Sequence, residues 1–266
     1  MIKRIFLLVF LMLQFSFLYA GIVVLNGLTH TYKVENGKVY KGKIGIENTG
    51  TTPQSVKLFL QDFSYKADGS IHYTEIHTHK RSNGGWIKLN TNLITLKGKE
   101  KTEVFYEITV PDHPADPGSY WSVIIVEPVD EIKPSNDKAG VNITSVIRYA
   151  IQVITDYETE KAKPDLKFES VKIEKEDGKQ TAKIAIANNG NLYCKPMVSI
   201  EIYNRKTGER LGSYTSIPMG LLPQTSKSFH IDISKVPADH YKAVLIATDE
   251  EENAFALNVE LEVKND

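Results

Sequence analysis

Two histidines and a carboxylate fall close together in IHYTEIHTH, residues 71 to 79. On an extended strand, side chains two residues apart share a face, so Tyr73, Glu75, His77 and His79 would point the same way. Two imidazoles with a carboxylate beside them make part of a divalent-metal ligand set. A structural site needs four ligands, and no matching His or Cys pair elsewhere completes one. The other reading is exposed His and Thr on an edge hairpin. The single thiol, Cys194 in NLYCKPMVSIEIY, cannot form an internal disulfide. A nucleophile there would want a neighbouring base, and the local sequence offers none; a small, partly buried apolar residue is the plainer assignment. Asp112-His113-Pro114 reads as a loop. The chain carries no GxSxG, HExxH, P-loop or GxGxxG pattern. The expectation is a non-enzymatic protein with no cofactor.

Binding surfaces are the remaining candidates. In GSYWSVIIVEP, residues 118 to 128, Trp121, Val123 and Ile125 alternate onto one face of a strand. If exposed, that face is a docking surface; otherwise a loop or a second domain covers it. Trp86 follows Gly84-Gly85. In VIRYAIQVITDY, residues 146 to 157, Tyr149, Ile151 and Val153 share one face, and Ala150 and Ile154 the other. On a sheet edge such a strand can pair with a guest through its backbone; away from an edge it is simply buried on both sides.

The elements that position these residues are strands. KIGIENTG, residues 43 to 50, returns 140 positions later as KIAIANNG, residues 183 to 190. In each copy an alternating strand ends at Asn48 or Asn188, a Gly follows two residues on, and a second alternating strand begins. Asn and Gly tolerate φ > 0, and the Asn side chain can bond its own backbone, so the phrase reads as strand, turn, strand. The parallel continues: TLKGKEKTEVFYEITVP (95 to 111) matches LLPQTSKSFHIDISKVP (221 to 237) in layout, and GSYWSVIIVEP matches DHYKAVLIATD (239 to 249). Period-two alternation dominates, no long amphipathic helix is evident, and Gly-containing turns recur at short spacing. The fold expectation is all-β: two immunoglobulin-like β-sandwich domains in tandem.

MIKRIFLLVFLMLQFSFLYA, residues 1 to 20, has a basic start, an apolar middle and a small residue before Gly21, which is the pattern of a secretory signal peptide. An uncleaved N-terminal anchor is the alternative. The domain expectation is therefore a leader at 1–20, a larger sandwich at 21–157, a charged linker at 158–163 within ETEKAKPDL, and an immunoglobulin- or fibronectin-like sandwich at 164–266. The first is longer through an insertion-like stretch at 61–92 and a loop at 128–140. Removing Lys3 and Arg4 with the leader takes the net charge from −1 to −3. Without a basic block, a nucleic-acid or anionic-membrane surface is not expected. The composition, 41% hydrophobic and 24% charged, is that of a globular chain.

KIGIENTG, WIKLNTNLITLKGKEKTEVFYEITVP, GSYWSVIIVEP and VIRYAIQVITDY, in that order and with a long loop before the last, resemble the first domain of PapD-like periplasmic pilus-assembly chaperones. The resemblance implies that a strand at about residues 143 to 156 is lent to a pilus or surface subunit. It also implies an Arg on the first strand and a Lys on the last that hold the subunit's terminal carboxylate. This chain departs there: GIVVLNGLTHTYKV has no Arg, and Gln152 stands where the Lys would be, with Arg148 nearby. YKADGSIHYTE followed by ITVPDHPADPGSYWSVIIVEP is similar to a domain of Gram-positive surface proteins that interact with WxL proteins, which would imply a cell-wall polymer as partner. The expected protein is periplasmic or extracellular, without a membrane span once the leader is gone. Its expected partner is another exported protein, bound through Trp121, Val123, Ile125 and residues Arg148 to Ile154. The competing reading is a cell-surface adhesion or wall-binding module that uses Trp121, Trp86 and the 61–92 stretch.

Overall fold

The computed structural model describes residues 21–129, 146–251 and 253–264. The expected leader and most of the expected 128–140 loop lie outside the described residues. Among those residues the only helical turns are two short 3₁₀ segments, Gly84–Trp86 and Thr159–Lys161. The protein is all-β, built as two immunoglobulin-like sandwiches.

The first sandwich holds β1 (Ile22–Val24), β2 (Thr29–Val34), β3 (Val39–Asn48), β4 (Gln54–Tyr65), β5 (Ile71–Thr74), β6 (Ile87–Leu89), β7 (Leu93–Leu96), β8 (Lys101–Thr109), β9 (Gly118–Val129) and β10 (Tyr149–Tyr157). One sheet runs β1-β3-β8-β6. The other runs β2-β10-β9-β4, with β5 and β7 pairing opposite ends of β4. Alternation selects the inward residues. Ile44, Ile46, Val104, Tyr106 and Ile108 of the first sheet meet Val56, Leu58, Ile124, Val126, Ile151 and Val153 of the second. The 61–92 stretch is less of an insertion than its sequence suggests. Its first residues complete β4, and Ile87–Leu89 pairs with β8.

The second sandwich holds β11 (Leu166–Glu176), β12 (Lys179–Asn188), β13 (Met197–Asn204), β14 (Arg210–Thr215), β15 (Ser226–Asp232), β16 (Asp239–Thr248) and β17 (Ala254–Val263). Its sheets run β11-β12-β15 and β14-β13-β16-β17. Ile184, Ile186, Phe229 and Ile231 face Val198, Ile200, Ile202 and Leu245 across the core.

The repeated phrase does more than turn the chain. Asn48 and Asn188 are both buried. In each, Oδ1 accepts the N–H of the Gly two residues on, Gly50 at 2.9 Å and Gly190 at 3.0 Å. Each Nδ2 then donates to carbonyls of a loop far along the chain: Leu96 and Lys97 for Asn48, Leu221 for Asn188. Those loops return the contact from residues with positive φ. Lys99 donates its N–H to the Asn48 carbonyl, and Gln224 to that of Asn188. Neither Asn nor its Gly needs positive φ. Gly190 is required for space, since a Cβ there would sit 2.4 Å from the Lys163 carbonyl oxygen.

Candidate functional site

β10 lies between two strands. β9 pairs with it antiparallel over its whole length, whereas β2 pairs with it in parallel only from Gln152 to Tyr157. Among the described residues the strand is therefore covered at its C-terminal end and an edge at its N-terminal end. Gln152 donates its N–H to the Leu28 carbonyl at 2.9 Å, so the backbone groups of even-numbered residues face the β2 side. Ala150 thus turns its N–H and C=O to the open edge, where no described residue pairs with them. Just ahead of it, Val146 and Ile147 are exposed, Ile147 by 67%. Arg148 is held against β9 by Glu127, Nε to Oε2 2.6 Å.

The faces of β10 divide as the alternation predicts. Ile151 and Val153 are fully buried in the first core, with Tyr149 packed against it; Ile154 and, partly, Ala150 join the cluster on the other face. A charge placed at Ile151 or Val153 therefore reports on folding rather than on binding.

Trp121, Val123 and Ile125 do not form an open surface: each is at most 4% exposed. They belong, with Phe63, Tyr65 and Ile154, to a buried cluster continuous with the core of the second sandwich. The segment after β5 folds over Trp121. His79 stacks on the indole at 4.4 Å, and the indole N–H donates to the Phe63 carbonyl at 2.7 Å. Trp86 packs against Tyr120 at 4.8 Å. The adhesion reading loses Trp121 as a contact residue.

The shared face expected of Glu75, His77 and His79 does not exist. β5 stops at Thr74, and His77 sits at φ 69° in the turn that follows. Among the described residues no three His, Cys, Asp or Glu side chains gather as metal ligands. Asp62, fully buried, organises this turn by accepting the N–H of Thr78 at 2.8 Å and the Ser82 hydroxyl at 2.6 Å. The His79 Nε2 lies 3.8 Å from Asp62 and has no hydrogen-bond partner among the described residues. Desolvation holds the imidazole pKa down, against the pull of Asp62. Cys194 is buried, and desolvation pushes its thiol up to about 12, so it is an inert packing residue. Asp112 and His113 stand exposed in a loop.

Between the sandwiches lies a cleft of about 510 Å³. Gln152 lines it, together with Lys33, Lys195 and Lys227 and with Asp156, Asp249 and Glu250. The first strand has no Arg, yet cations do line the cleft. Lys33, in the TYKV of β2, stands in register with Asp156 of β10, a placement that needs the parallel pairing to be known. The walls of the cleft are fixed by polar contacts. Ser119 donates its N–H to the Asn191 carbonyl at 2.8 Å and its hydroxyl to Asp156 at 2.5 Å, and it accepts the Tyr193 N–H at 2.7 Å. The Tyr65 hydroxyl accepts the Leu222 N–H at 3.0 Å and donates to the Gly220 carbonyl at 3.2 Å. Gly118, at φ 117°, has no room for a Cβ, which would lie 2.1 Å from the Asn191 carbonyl oxygen. Among the described residues no helix is long and apolar enough to cross a membrane.

Residues 138–266 match the family model described as WxL Interacting Protein, host binding domain. The match takes in β10 and the whole second sandwich, not YKADGSIHYTE or ITVPDHPADPGSYWSVIIVEP, the stretches that carried the likeness to WxL-interacting proteins. No curated protein matches the chain. Solved structures do. One is a chain of the chaperone–tip adhesin complex of CFA/I fimbriae, 11% identical, covering 90% of this chain and 98% of that one, with TM-score 0.48. Another is from the CsuC–CsuE chaperone–tip subunit pre-assembly complex of Acinetobacter baumannii Csu pili, 15% identical, covering 90% and 98%, TM-score 0.46. A third is from the Salmonella enterica SafA pilin–SafB chaperone complex, 11% identical, covering 92% and 97%, TM-score 0.45. The chain is thus similar to pilus chaperones along nine-tenths of its length and to the WxL-interacting host-binding domain over residues 138–266.

Proposed function

We propose that this chain is an exported, non-enzymatic protein-binding module, a chaperone or assembly adaptor for another envelope or surface protein. Its leader is residues 1–20, its domains are 21–157 and 164–266, and residues 158–163 link them. It works in the periplasm or outside the cell. The guest is an extended segment that pairs with the open end of β10. The observation that carries the reading is the backbone of Ala150, unpaired among the described residues on the side away from β9, with the exposed apolar Ile147 just ahead of it. A strand edge with unpaired donors and acceptors takes another strand, and the side chains beside it select apolar guests. Arg148 and Tyr149 flank the guest's path. Gln152 and Ile154 lie beyond it, where β2 already pairs.

Ala150→Pro tests this directly. Its N–H faces away from β9, so proline is tolerated in the fold, yet the guest ladder loses a donor and meets the ring. Guests captured from the protein's own envelope extract are expected to bind at least about tenfold more weakly to Ala150→Pro and to Ile147→Asp, with an unchanged melting temperature. Equal capture by wild type and both variants would sink the reading. A second reading, a surface module that binds host or wall material, is favoured by the match of residues 138–266 to a host-binding family. It predicts retention of polymer or host protein that survives both substitutions.

A further inference from the structure

The second sandwich is open along one side. β11 and β17 are the adjoining edges of its two sheets, and among the described residues each pairs with one strand only, β12 and β16. Between them lies a cavity of about 750 Å³, with Val171, Ile173, Val236 and Leu261 in its lining beside the polar Gln180, Glu260 and Glu262. The inward face of β17 is fully covered only at its C-terminal end. Leu261 and Val263 are buried, but Leu257, on the same face, is 39% exposed, and Phe255 and Val259 are only partly covered. Opposite them, Val171 and Ile173 of β11 are likewise half-covered.

The backbone says what fits there. The hairpin bond from the Asp249 N–H to the Asn253 carbonyl sets odd residues of β17 toward β16. Ala256, Asn258, Glu260 and Glu262 therefore present N–H and C=O to the open edge, with no partner among the described residues. At the closed end the next even carbonyl, Lys264, is already taken, by Gln180 Nε2 at 3.0 Å. A guest needs alternate apolar side chains to fill the seam and a backbone to bond the edge. Its outward side chains would lie beside Asn258, Glu260 and Glu262. Among the described residues the ion pairs of these two glutamates are long and exposed, to Arg205 and Lys264 at 3.6 Å, so basic residues complement them.

We propose that the β11/β17 seam is a second docking edge, which takes an extended segment of a partner protein with apolar residues alternating with Lys or Arg. It rests on observations independent of β10 and stands or falls separately from the reading above. The test uses the chain with an acetylated, fluorescent decapeptide of alternating Val and Lys, and its Val/Glu counterpart. Saturable binding of the Val/Lys peptide is expected, at least about tenfold weaker for the Val/Glu peptide and for Asn258→Pro, and unchanged for Ala150→Pro. Leu257→Lys, at an exposed side chain, gives the same loss without altering the backbone. Three outcomes would overturn the proposal: no saturable binding, binding by Asn258→Pro and Leu257→Lys as tight as by the wild type, or a dimer that Asn258→Pro dissociates, since the seam would then hold a second copy.

Discussion

Asn188→Ala is expected to lower the unfolding free energy of the second sandwich by about 2–4 kcal/mol. The side chain is fully buried and spends all its polar capacity. Nδ2 donates to Leu192 at 2.8 Å and Leu221 at 3.3 Å, and Oδ1 accepts from Gly190 and Asp165. Alanine leaves those backbone groups buried without partners, and each orphan costs about 1–3 kcal/mol. Asn48→Ala should do the same to the first sandwich, for Asn48 bonds Thr52, Leu96 and Lys97 in the same manner. Both tryptophans lie in the first sandwich. Indole fluorescence in urea therefore reads Asn48→Ala, and far-ultraviolet circular dichroism reads Asn188→Ala. A loss under about 0.5 kcal/mol for either would show that the repeated asparagine only turns the chain.

Asp156→Asn is expected to stabilise the protein at neutral pH and to do so less as the pH falls. Burial between the sandwiches pushes the Asp156 carboxyl up to about 6, against the Ser119 hydroxyl and the Lys33 ammonium, with Glu251 adding to the rise. The unfolded chain gives up this proton first, near pH 4. As pH rises from there, ionisation increasingly favours the unfolded state, and the penalty is complete above about pH 6. Two pKa units correspond to about 3 kcal/mol. Asparagine keeps an acceptor for Ser119 and carries no charge. The variant should exceed wild type by about 2 kcal/mol at pH 7.5 and match it near pH 4. A difference that does not change with pH would mean that Asp156 is not held protonated at the junction.

Most strands were legible from the chain because burial on one face writes itself as period-two alternation, as in Val104, Tyr106, Ile108 and Val110. The repeat was legible for the same reason, since both copies solve the same local problem. What escaped was set by distant partners. Asn48 reads as a turn residue because Leu96 and Lys97 are half a domain away. The parallel pairing of β2 with β10, which leaves an edge only at Ala150 and ahead of it, leaves no local trace, because β2 has crossed from the sheet that holds β1. The alternation at Trp121, Val123 and Ile125 correctly marked an apolar face but not its cover, for His79 reaches the indole only after β5 ends in a turn. That same turn removed the metal face. Glu75 and His77 were spaced for a strand that stops at Thr74.

Amide hydrogen exchange at Ala150, in the free chain and with a captured guest bound, reads the proposed docking edge of β10 itself. Exchange is expected to be fast in the free protein, because this N–H has no partner among the described residues, and markedly slower in the complex. Slowing confined to other residues, with Ala150 exchanging at the same rate in both states, would contradict it.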